Sequence, residues 1–178
     1  MMKRILVLMV VIGLISGLGA FGGMAAFTDQ ESTTDSSFDS GNVDLVLGTT
    51  TALVTYTNMK PGDTTGPQSL LVTNNGSLDL AYTMSTTMVT DTGTPLLGDE
   101  LDLTIKTIDL TTPGTPCNDF DGTLLYGNAD LNDGAVSSRV LTASSNETLC
   151  FQVDFPSAST GPMSATADAT FVFDATQN

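Results

Sequence analysis

Leu78-Asp79-Leu80-Ala81-Tyr82-Thr83-Met84-Ser85 sets Leu78, Leu80, Tyr82 and Met84 on one face of an extended chain, with Asp79, Ala81, Thr83 and Ser85 on the other. An apolar period of two marks a strand that buries one side and wets the other. The same period recurs in Val43, Leu45 and Leu47, and in Leu101, Leu103 and Ile105. It returns in Leu149, Phe151, Val153 and Phe155. Near the C-terminus Ala167, Ala169, Phe171, Phe173 and Ala175 alternate with outward Asp168, Thr170 and Asp174. Shorter candidates are Leu53 to Thr57, Ser69 to Thr73 and Arg139 to Thr142. Turn chemistry separates them: Pro61-Gly62-Asp63, Asn74-Asn75-Gly76, Thr92-Gly93-Thr94-Pro95 and Asn132-Asp133-Gly134. No segment after residue 26 sustains a helical period. The pattern predicts an all-β domain over residues 41–178, a two-sheet, jelly-roll-like sandwich.

Composition narrows the function. The 178 residues carry 5 Lys+Arg against 20 Asp+Glu, a formal charge of −15, with no His and two Cys. Without His there is no Ser-His-Asp or Cys-His pair, no HExxH helix and no imidazole base. The negative charge argues against nucleic acid and anionic membrane as partners, since both are bound through Lys and Arg.

The first residues stand apart. Lys3 and Arg4 precede an apolar run from Ile5 to Leu18, and Gly22-Gly23-Met24-Ala25-Ala26 supplies small residues for a signal peptidase. Cleavage between Ala25 and Ala26 makes residues 1–25 a signal peptide. The rival is an uncleaved anchor, because Ile5 to Ala26 is uncharged and long enough to span a bilayer. Residues 26–40 then form a polar, flexible arm, with Phe27 and Phe38 bracketing a stretch poor in aliphatics. Export places Cys117 and Cys150 where disulfides persist, and they form one pair. Cys150 alternates onto the polar face with Gln152 and Asp154, so the pair staples a Pro-bounded loop to the outside of a sheet.

Other chemistry-bearing patterns are looser. Asn128, Asp130 and Asn132 alternate as oxygen ligands for one weak calcium site, but the glycine comes late for an EF-hand and no Glu closes the loop. Asp91-Thr92-Gly93 matches the aspartic-protease triplet in a single copy, where two are needed, and reads as a turn. Asn75-Gly76-Ser77 and Asn146-Glu147-Thr148 match the glycosylation acceptor pattern.

Three blocks together resemble the TasA/camelysin family of exported matrix-fibre proteins. The first joins Gly22-Gly23-Met24-Ala25-Ala26-Phe27-Thr28-Asp29 to Phe38-Asp39-Ser40-Gly41-Asn42-Val43-Asp44-Leu45. The second pairs Asn58-Met59-Lys60-Pro61-Gly62-Asp63 with Val72-Thr73-Asn74-Asn75-Gly76-Ser77-Leu78. The third is Phe171-Val172-Phe173-Asp174-Ala175-Thr176-Gln177. The resemblance implies a jelly-roll subunit released by a signal peptidase of the SipW kind. It also implies self-assembly into fibres or bundling pili of a biofilm matrix, alongside accessory matrix subunits. It carries a peptidase label too, for which this sequence lacks the histidines. Insertion of the arm, Ala26 to about Phe38, into the next subunit is the expected contact, and no cofactor beyond weak calcium is expected. The alternatives are a monomeric calcium-binding surface protein and a peptidase of the camelysin or aspartic type.

Overall fold

A computed structural model describes residues 40–49, 53–161 and 164–178. The alternating segments form strands: β1 (Leu45–Leu47), β2 (Gln68–Asn74), β3 (Leu80–Asp91), β4 (Asp102–Thr107), β5 (Leu124–Asp130), β6 (Ala135–Leu141), β7 (Asn146–Asp154) and β8 (Ala167–Gln177). One helical turn, α1 (Leu97–Glu100), bridges β3 and β4. All pairings are antiparallel. They build a five-stranded sheet, β1-β2-β7-β4-β5, and a three-stranded sheet, β6-β3-β8. The two sheets form a sandwich, and their inward faces meet in one core that includes Val72, Leu80, Tyr82, Leu103, Ile105 and Phe151.

The two ends of this sandwich can be told apart by register. Leu80 pairs with Leu141 and with Gln177, and Asn74 with Leu45, so the starts of β1, β3 and β7 gather at one end. Asp91 pairs with Ala167, and Asp102 with both Asp130 and Asp154, at the other.

Three expectations need correction. Leu53 to Thr57 forms no strand; it is irregular chain, with Tyr56 exposed. Its apolar residues face a groove instead of a sheet neighbour. The stretch Leu124–Asp130 is a strand that the alternation does not announce. It is irregular against β4, with register shifts on both sides of Ile105, and Asn128 takes a φ of 52°. Cys150 does leave β7 on the face opposite Leu149 and Phe151, yet it is fully buried. The loop between β4 and β5 covers it: Cys117 is joined to Cys150 by a disulfide. Beside it, the Lys106 ammonium donates to the Phe120 carbonyl at 2.7 Å and lies 4.4 Å from that ring's centre.

Candidate functional site

β8 is the edge of its sheet, hydrogen-bonded to β3 on one side and to no other described strand. Its alternation sends Ala167, Ala169, Phe171 and Phe173 inward, but each remains only partly buried. Phe171 tilts against Phe151 with ring centres 5.0 Å apart, and Phe173 against Tyr82 at 5.8 Å. Beneath this face runs a groove of about 810 Å³. Its far wall comes from Leu47, Leu70, Val153 and Phe155, and its floor includes Leu97, Leu101 and Leu131. These residues sit toward the end where Ala167 and Asp91 meet. An edge strand beside an apolar groove has the geometry to take one more strand.

The opposite end is clasped shut. Asn74 is fully buried at the end of β2, and its amide donates to the carbonyls of Leu78 (2.8 Å), Leu141 and Thr142 (both 3.1 Å). Its own oxygen accepts from the Gly76 N–H at 2.9 Å. One side chain thus satisfies the turn after β2 and the turn after β6. A Cβ at Gly76 would collide with the Asn42 carbonyl, so glycine permits that approach. Asn42 and Ser77 exchange hydrogen bonds, and Asn75 donates to the Asp44 carboxylate. The chain therefore enters the body at Gly41–Asp44 pinned to the closed end.

A second network crosses the sandwich near the same end. The Tyr82 hydroxyl donates to Glu147 Oε1 at 2.7 Å, while Arg139 Nε donates to both Glu147 oxygens at 2.9 and 3.0 Å. Burial, and then the Glu147 hydrogen bond, push the Tyr82 phenol well above its ordinary range. The hydrogen bond to Glu147 raises Arg139 further.

The remaining sequence candidates disperse. Asn128 and Asp130 lie on β5, whereas Asn132 sits in the 3-10 turn that follows and donates its amide to Asp99. Asp91 closes β3 and accepts from the Gly98 N–H at 2.9 Å, capping α1. Asn75 and Asn146 are both exposed. Ala25, Ala26, Phe27 and Phe38 lie outside the described residues. Sequence reading missed the groove floor at Leu97 and Leu131; the only available signal was isolated leucines flanking turns.

Residues 2–145 match the family model described as camelysin metallo-endopeptidase. The chain belongs to the camelysin family. The match spans the first two sequence blocks, whose residues Gly41–Asp44 and Asn74–Leu78 are the ones interlocked at the closed end. A comparison with curated proteins finds none that matches. The family's name implies a metal, and the nitrogen and sulfur donors of an ordinary zinc site are not available. The chain has no His, and both of its thiols are spent in the disulfide. Among the described residues no three His, Cys, Asp or Glu side chains converge to hold an ion.

Proposed function

We propose that this camelysin-family chain is an exported structural subunit that polymerises head to tail, the arm from Ala26 to about Phe38 adding a strand to the next subunit. The observation that carries this reading is the half-buried inward face of β8 above its groove. The arm's attachment supports it: Gly41 is held at the closed end, while the groove lies toward the other. A link from one end of a subunit to the opposite end of its neighbour is heterologous, and a filament results when its rotation does not close. The arm is long enough. Residues 26–38 extend roughly 40 Å at about 3.3 Å each, which covers the length of β8.

On this reading the signal peptidase acts as the switch, since an arm still joined to a membrane segment cannot enter a neighbour. The partner is a second copy of the chain, in an extracellular fibre of the biofilm-matrix kind. Peptidase activity is not part of the reading, because the chain has no histidine with which to build the usual zinc site. Electron microscopy of residues 26–178 tests it: filaments are expected, and deletion of 26–37 should leave a folded monomer. A truncated chain that polymerises equally well overturns arm insertion. Release of peptides from casein by the purified chain overturns the non-enzymatic assignment.

A further inference from the structure

We infer that the docked arm has one facing: its even-numbered side chains enter the neighbour's groove and its odd-numbered carboxylates face solvent. The inference rests on the arm-insertion reading and adds which residues make the contact. In an extended strand successive side chains point to opposite faces. Even positions read Thr28, Gln30, Ser32, Thr34, Ser36 and Phe38, with no charge among them. Every carboxylate of the arm falls on an odd position: Asp29, Glu31 and Asp35. Phe27 and Phe38 therefore point to opposite faces, and only Phe38 belongs to the buried one.

The groove selects between the two faces. Its lining holds no Lys or Arg, and its one charged residue is Asp168, exposed on β8. A carboxylate turned inward would lose water without gaining a counter-charge. Hydroxyl side chains meet a different reception, because Thr57, Thr65, Ser164 and Thr166 also line the groove. Those groups can exchange hydrogen bonds with Ser32 and Thr34, while Leu101, Phe155 and Phe171 offer apolar contact to Phe38.

The same facing has a consequence outside. β8 turns Asp168 and Asp174 outward, so the arm's acids join acids on one surface. The β3 residues beside them in register, Thr83 opposite Asp174 and Thr90 opposite Asp168, bring no cation. Arg139 is engaged by Glu147 and Lys106 by Phe120, while Lys60 is exposed but lies in the chain between β1 and β2, on neither β3 nor β8. Like charges on adjacent strands repel, and salt weakens that repulsion. Docking is thus favoured by ionic strength.

The test pairs two neighbouring substitutions of equal charge in residues 26–178, Ser32→Asp and Thr33→Asp, followed by light scattering and electron microscopy at low and high salt. Ser32→Asp is expected to slow filament growth by at least about tenfold at every salt concentration, since it buries an unpaired charge. Thr33→Asp should still form filaments but require more salt, and wild-type growth should accelerate as salt rises. Thermal melts of both variants should match the wild type, which keeps a folding defect from mimicking the result. Loss of growth in Thr33→Asp but not in Ser32→Asp overturns the facing, as does equal behaviour of the two. Slower wild-type growth in salt overturns the acid-to-acid placement. If the 26–37 deletion polymerises, arm insertion itself fails, and the facing fails with it.

Discussion

The two ends of the sandwich are built on opposite terms. The closed end buries polar groups and satisfies them: Asn74 fastens two turns, and Tyr82, Glu147 and Arg139 tie one sheet to the other. The open end spends apolar residues on a surface that they do not fill, leaving Ala169 and Phe171 partly wet. A satisfied polar network is directional and fixes geometry, whereas an apolar groove is tolerant and receives. The proposed arm insertion would use both, with rigidity where the arm departs and an open face where another arm arrives.

The largest effect is expected at the closed end. Asn74→Ala strips partners from the carbonyls of Leu78, Leu141 and Thr142 and from the Gly76 N–H. With a cost of about 1–3 kcal/mol for each unsatisfied buried group, discounted where water can enter, the total should exceed about 3 kcal/mol. Phe171→Ala, toward the open end, removes a larger side chain. It should nevertheless cost less than the roughly 3–5 kcal/mol typical of a fully buried Phe, because the ring is already partly solvated. Urea melts of the two variants put the contrast at risk. If Phe171→Ala costs more than Asn74→Ala, the open end is a completed core.

The disulfide belongs to neither end and provides a control. Cys117 and Cys150 are 33 residues apart, and closing such a loop stabilises by about 3–4 kcal/mol in the chain-entropy model. Cys117→Ala with Cys150→Ala should lower Tm, with the chain still folding and both ends keeping their character. A pair variant that polymerises faster than wild type would show that the staple also restrains the groove.

Much of this was legible in the chain. Strict alternation located β3, β4, β7 and β8, because each turns one apolar face to the core, and Cys150 was correctly placed on the side of β7 away from Phe151. β8 was legible as a strand but not as an edge, since Phe171 and Phe173 alternate identically with or without a neighbour. β5 stayed hidden because its register shifts break the period and its residues Asn128 and Asp130 resemble a ligand loop. The closed-end network left no local trace: Tyr82 and Glu147 are 65 positions apart. Side-chain partners brought together by topology cannot be read from spacing.

Alkali should attack the closed end first. Unfolded, Tyr82 releases its proton near pH 10, while burial and Glu147 make the folded protein hold it to higher pH. A group with a raised folded pKa contributes stability below the unfolded value and loses it as pH climbs through the folded one. Stability should therefore fall above about pH 10, and Tyr82→Phe should flatten that fall. Tyrosinate absorbance recorded against the loss of fold should show Tyr82 ionising with unfolding; ionisation of all three tyrosines before unfolding would contradict a sealed closed end.

Acid should act on the open end, and in the opposite sense. Asp102 sits between Asp130 and Asp154 on three neighbouring strands, the row lying on the outer face of the five-stranded sheet. Burial first, then the charges of Asp130 and Asp154, raise its carboxyl above the ordinary range. An acid with a raised folded pKa opposes folding when ionised, so its penalty is relieved as pH falls through that value. Asp102→Asn removes the penalty at neutral pH. The gain should be small, about a few tenths of a kcal/mol, the scale of one like-charge cross-strand pair near solvent. Its signature is the pH dependence. The variant should be the more stable at about pH 7, and its advantage should vanish in acid as the wild-type carboxyl takes up its proton. Paired urea melts across that range measure it. A constant advantage would mean that the amide of Asp102→Asn gains through a new hydrogen bond, and that the row of three aspartates carries no repulsion worth relieving.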